Sequence, residues 1–150
     1  MVNVETSIII NRPIEEVFAY VTDIRNSSQW DSGQVDIRQT PQSPVGVGTR
    51  ITEVRKFLGR KMETTSEVVE YKPSMKYTRK GTGGPFPITG WLTFEPTAEG
   101  TKLTWIFKMQ PGGFFALAEP LIARSLKRGL ESNLGTAKDL LENQVVGISS

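Results

Sequence analysis

Apolar positions recur at two periods along this chain, and the switches between them divide it into a strand, a helical pair, a long stretch of strands and a closing helix. Residues 2–10 are a β-branched run that predicts a strand. Ile14, Val17, Phe18 and Val21 then recur at helical spacing, with Glu15 and Glu16 in the first turn, where the helix dipole favours acids. Asn11 is positioned to cap this helix, with Pro13 in its first turn. Residues 23–29 predict a second short helix, and Trp30 after it reads as an anchor against the sheet. From Ser32 the period becomes two. Val35 and Ile37 alternate with Asp36 and Arg38; residues 41–48 form a loop; strands follow at 49–57, 60–71, 75–80, 88–94 and 101–109. Residues 58–59 join a hairpin, and 95–100 connect the last two strands. These connections are too short for parallel crossovers, so the strands from the second onward form an antiparallel meander.

Residues 113–144 return to a helical period. Phe115, Ala118, Ile122, Leu126, Gly129, Asn133, Ala137 and Leu140 fall on one face, and Arg124, Lys127, Arg128, Glu131, Lys138, Asp139 and Glu142 on the opposite one. The middle of the helix is small and polar at Ser125, Gly129, Asn133 and Thr136. Two readings stand side by side: room left for a ligand, or a close approach of helix to sheet at Gly129 with Asn133 hydrogen-bonded to backbone.

The strand alternation indicates what such a space contains. In the last strand Leu103, Trp105, Phe107 and Met109 share the inward face; Met62, Thr64, Ser66 and Val68 do so in the fourth strand, and Met75, Tyr77 and Arg79 in the fifth. The third strand can be read in either phase. Ile51, Glu53, Arg55 and Phe57 are the favoured inward set, which puts a carboxylate and a guanidinium inside, where each needs a partner or water.

A chain of 150 residues is one ordinary domain, 1–150, large enough for a core and a cavity. The 18 basic residues against 16 acidic ones, interspersed, make no nucleic-acid footprint. With neither cysteine nor histidine, thiolate nucleophiles, catalytic triads and ordinary zinc sites are excluded, so no metal and no cofactor is expected. Proton transfer would fall to Asp, Glu, Lys, Tyr or water. The first eleven residues lack the features of a secretory signal and no apolar run is long enough to span a bilayer, so the expected location is the cytoplasm, without stable membrane insertion.

Three segments carry a family likeness: Ile10-Asn11-Arg12-Pro13-Ile14-Glu15-Glu16-Val17-Phe18 with Asp23 and Trp30 downstream; Gly46-Val47-Gly48-Thr49-Arg50; and Phe94-Glu95-Pro96 followed by Gly100-Thr101. With the order of elements, they make the chain resemble the helix-grip fold of the START-like superfamily over nearly its whole length. Within that superfamily it is most similar to the bacterial polyketide cyclase/dehydrase and lipid-transport group. The resemblance implies an α+β fold in which a curved, seven-stranded antiparallel sheet wraps around a long C-terminal helix, with two short helices after the first strand. It also implies a deep apolar cavity between helix and sheet; members of the superfamily include cyclising enzymes, carriers and sensors.

The expected function is therefore binding of a hydrophobic small molecule, a lipid, polyketide or isoprenoid-like compound, as carrier or sensor. Its candidate lining is Glu53, Met62, Thr64, Ser66, Met75, Tyr77, Arg79, Trp105, Phe107, Phe115, Ile122, Leu126, Gly129 and Asn133. An alternative is a cyclase or dehydratase in which an inward carboxylate of raised pKa removes a proton; Glu53 and Glu119 are the candidates. Another is a protein-interaction module using the loop at 81–87. The sequence sets no oligomeric state.

Overall fold

The computed structural model describes residues 1–148 apart from 42, 43, 58 and 85, with the side chains at 57, 114, 115 and 144–148 also outside the described set. Parts of the predicted loops at 41–48 and 81–87 and of the 58–59 turn thus lie outside the described residues. The elements are β1 (Val2–Ile10), α1 (Ile14–Thr22), α2 (Ile24–Trp30), β2 (Gln34–Thr40), β3 (Arg50–Phe57), β4 (Arg60–Lys72), β5 (Lys76–Gly83), β6 (Ile88–Thr97) and β7 (Gly100–Met109). A 3₁₀ segment at Gly113–Ala118 leads into the closing helix α3 (Glu119–Ile148).

All seven strands form one antiparallel sheet in the order β1-β7-β6-β5-β4-β3-β2. This is the expected meander, with β1 brought in beside β7 by the helical pair. Period-two alternation fixes one face of each strand inward. Val2, Val4 and Ile10 of β1, Leu103 and Met109 of β7, Leu92 and Phe94 of β6, Tyr77 of β5, Val68 of β4 and Ile51 of β3 are all buried on that face. The turn between β6 and β7 depends on Gly100, whose φ of +134° disfavours L side chains and whose Cβ would collide with the Ile10 carbonyl oxygen.

Asp23 caps α2, accepting from the Arg25 N–H at 2.9 Å. In α1, by contrast, Pro13 occupies the cap position without any side-chain cap, and the Asn11 N–H donates instead to Glu142 Oε2 at 2.8 Å. Arg12 donates to the carbonyls of Leu141 and Glu142. The start of α1 is thereby tied to the end of α3.

Helix α3 lies chiefly along β1 and touches α2. Its buried stripe is Ile122, Leu130, Asn133, Leu134, Ala137 and Leu141, with Leu126 and Leu140 partly buried. This corrects the predicted phase at one point: Gly129 faces solvent, with nothing within 4 Å of where its Cβ would stand. Leu130 and Leu134 each offer more apolar area than Gly129, and the helix settles with its leucines inward. Ser125 and Thr136 are likewise exposed, so of the small polar midsection only Asn133 is inside. No helix among the described residues is long and apolar enough to cross a membrane.

Candidate functional site

The inner face of the sheet changes character along its rows. In the row Val4–Phe107–Gly90–Arg79–Val68, the two ends are buried and the three middle positions remain partly exposed. Trp105, Ile88, Met62, Thr64 and Arg55 on the same face are also only partly buried, as is Leu126 of α3. Side chains on a concave face that still meet solvent border an open space rather than a closed core. Around it stand two apolar clusters, one with Tyr77, Leu92 and Leu134, the other with Val4, Ile122 and Leu130; Trp105 packs against both. The Trp30 ring, buried at the end of α2, meets Trp105 edge-on with centroids 5.7 Å apart.

One wall of this space is polar. Arg55 donates to Asp31 through two parallel bonds, Nη1 to Oδ2 at 2.7 Å and Nη2 to Oδ1 at 2.8 Å, and its Nη1 also reaches Glu53 Oε2 at 3.3 Å. Arg79 Nη2 donates to Glu53 Oε1 at 3.3 Å, and its Nε and Nη2 both donate to Ser66 Oγ, at 3.0 and 2.9 Å. Gln34 Nε2 adds a bond to Glu53 Oε2 at 3.2 Å. Asn133 bridges α3 to this cluster, its Nδ2 donating to Asp31 Oδ1 at 3.0 Å while its Oδ1 accepts from the Ser32 N–H and hydroxyl, each at 3.2 Å. Two guanidiniums thus face two carboxylates, and the cluster is neutral when all four are charged.

This arrangement sets the state of Glu53. Burial alone would push its carboxyl up, but Arg79 and Arg55, with the bonds from Gln34 and Arg55, outweigh burial and hold it below the usual glutamate value. Burial likewise opposes the charge on Arg55, yet the Asp31 and Glu53 carboxylates hold its pKa above the ordinary arginine value. The Tyr77 hydroxyl is raised by burial and stays protonated.

Of the sequence candidates, Glu53, Thr64, Ser66, Tyr77, Arg79, Trp105, Phe107, Met62, Ile122, Leu126 and Asn133 all lie on inward faces, and the favoured phase of the third strand is the one observed. Met75 does not: it stands in the turn before β5 and is 62% exposed, because the strand begins one residue later than the alternation suggested. Gly129 is excluded by the helix phase described above. The Phe115 side chain lies outside the described residues. Glu119 opens α3 and pairs with the Met1 ammonium, away from the polar wall. Asp31, Gln34 and Gly90 were not singled out in the sequence. A glycine inside an otherwise apolar strand, Ile88-Thr89-Gly90-Trp91-Leu92, was the available signal for the last. Trp91 lies on the outer face, where Lys108 Nζ sits 5.4 Å from its ring centroid.

Solved structures share this architecture throughout. A protein from Thermus thermophilus superposes with a TM-score of 0.83 at 20% identity, covering 99% of each chain. The Zhui aromatase/cyclase from a Streptomyces species gives 0.76 at 14% identity, over 95% of this chain and 94% of that one. The di-domain aromatase/cyclase StfQ of the steffimycin biosynthetic pathway gives 0.80 at 19% identity; 96% of this chain is covered but only 52% of that one, so the present chain corresponds to about half of it. At these identities the likeness is one of fold. None of the curated proteins matches the sequence significantly. The sequence itself matches the model of the polyketide cyclase/dehydrase and lipid transport family over residues 1–142, and the chain belongs to that family.

Proposed function

We propose that the protein holds a hydrophobic small molecule, of lipid, polyketide or isoprenoid-like type, in the space between sheet and helix, and acts as its carrier or sensor. The observation that carries this reading is the open middle of the inner face: Phe107, Trp105, Ile88 and Leu126 are apolar, point inward and remain only partly buried. Covering them with a ligand would remove apolar area from water, at roughly 25 cal/mol per Å². Arg55, Arg79, Tyr77 and Thr64 would supply the few polar contacts that orient the molecule.

The cyclase or dehydratase alternative needs a base able to exchange protons near neutral pH. Glu53 is held ionised by two arginines, and among the described residues its hydrogen bonds are all to donors of the polar wall, so it is a weak base. Binding without chemistry is the better-supported reading.

Native mass spectrometry of freshly purified protein, with solvent extraction of its contents, tests the proposal. A bound species released on collisional activation, and an apolar compound in the extract, are expected. A chain that is free of small molecules and takes up none from a lipid extract would contradict it.

A further inference from the structure

Gly81 and Gly100 have a local reason to be glycine. A Cβ on Gly81 would come within 2.7 Å of the Ile88 carbonyl oxygen, and Gly100 has its positive φ. Gly90 has neither reason. It lies inside β6, between Arg79 of β5 and Phe107 of β7, and a Cβ there would meet only Trp105 Nε1 at 3.9 Å and the Ile106 carbonyl oxygen at 4.0 Å, ordinary contact distances. A glycine within a strand weakens the sheet, and one that no backbone crowding demands leaves room for another molecule to approach. Here it makes a hollow at the centre of the open row, floored by backbone and flanked by Phe107, Trp105 and the Arg79 stem.

Several donors near the hollow have no hydrogen-bond partner among the described residues. The Trp30 Nε1–H is fully buried with no hydrogen-bond partner, in a ring set edge-on to Trp105. Among the described residues Trp105 Nε1 and Arg79 Nη1 also make no hydrogen bond, since Arg79 bonds through Nε and Nη2. The carboxylates of the polar wall are already taken by Arg55, Arg79, Gln34 and Asn133. Of these donors only the Trp30 N–H is buried; those of Trp105 and Arg79 lie on partly exposed side chains, where water or a ligand oxygen can accept from them.

Resting on the reading of this space as a ligand chamber, we propose that the hollow over Gly90 is a subsite for a flat, uncharged, carbonyl-bearing end of the ligand, whose oxygen accepts from the Trp105 indole N–H. Flatness follows from the backbone floor and the aromatic walls. Neutrality follows from the balanced charges of the polar wall, to which a carboxylate would add an uncompensated negative charge. Gly90 then sets the size of what enters, and Trp105 its polarity.

Three probes of one shape separate these points: 2-acetylnaphthalene, 2-isopropenylnaphthalene and 2-naphthoate, titrated calorimetrically into the wild-type protein and the Gly90→Val and Trp105→Phe variants. The ketone is expected to bind the wild type about tenfold more tightly than the hydrocarbon, the worth of one well-made hydrogen bond, and more tightly than the carboxylate. Gly90→Val should weaken all three at least tenfold while its melting temperature holds or rises, because valine suits a strand. Trp105→Phe should abolish the preference for the ketone. Equal affinity for ketone and hydrocarbon, tighter binding of the carboxylate, or a well-folded Gly90→Val variant that binds like the wild type would each overturn the subsite while leaving the chamber intact. Failure of every probe, and of a general apolar dye, to bind the wild type would overturn both.

Discussion

At Glu53 burial and charge pull in opposite directions, and charge prevails because Arg79 and Arg55 reach the same carboxylate. Its pKa in the folded protein lies below the unfolded reference of 4.5, so the folded state binds this proton less readily than the unfolded chain. The stability it contributes is complete above about pH 5 and is lost as pH falls through the lowered value. Glu53→Gln is therefore expected to lower stability at pH 7 by roughly 1–3 kcal/mol and to flatten the loss on acidification, the partial exposure of both arginines keeping the cost below that of a fully buried pair. Urea denaturation from pH 7 to pH 3 measures both effects; parallel pH profiles for variant and wild type would remove Glu53 from the account. The inward placement of Glu53 was legible from Ile51 and the alternation of β3. Its need for a partner, with Arg55 two residues on along the same face, was legible too; the rest of the cluster was not, because Asp31, which anchors Arg55, is 24 residues from it in sequence, and Asn133 is 102 residues from Asp31. Pairings that the fold alone creates leave no local pattern.

Along helix α3 the sequence pattern gave the right helix with one turn of its stripe misplaced. A strict 3.6-residue step puts Gly129 inward, whereas the packed helix buries Leu130 and Leu134. Opposite outcomes are expected at neighbouring positions. Gly129→Ala, on the solvent face, should raise stability by about 1 kcal/mol, since glycine in a helix interior is costly. Leu134→Ala, 1% exposed in the core, should lower it by about 2–5 kcal/mol. Thermal unfolding of the two variants decides the phase: a destabilised Gly129→Ala together with a tolerated Leu134→Ala would restore the stripe read from the sequence. Met75 failed for a related reason. Alternation continues past the end of a strand on paper, but the turn before Lys76 interrupts it in the chain.

For the whole molecule, the order of strand, helical pair, strands and long helix was readable because each change of period marks a real change of element, and short connections permitted only an antiparallel meander from the second strand on; the place of β1 beside β7 was not read. The open space was readable only in part. Trp105, Phe107, Tyr77 and Arg79 were placed on its wall by alternation, yet the absence of a side chain at Gly90 acquires its meaning only once β5 and β7 flank it. The central claim, that this space receives an apolar molecule, is tested most directly with a Trp91→Phe variant, whose two remaining tryptophans, Trp30 and Trp105, both face inward and touch. Titration with an apolar probe is expected to change their emission saturably, at one equivalent per chain. Emission that stays constant at probe concentrations near its solubility limit would contradict the account.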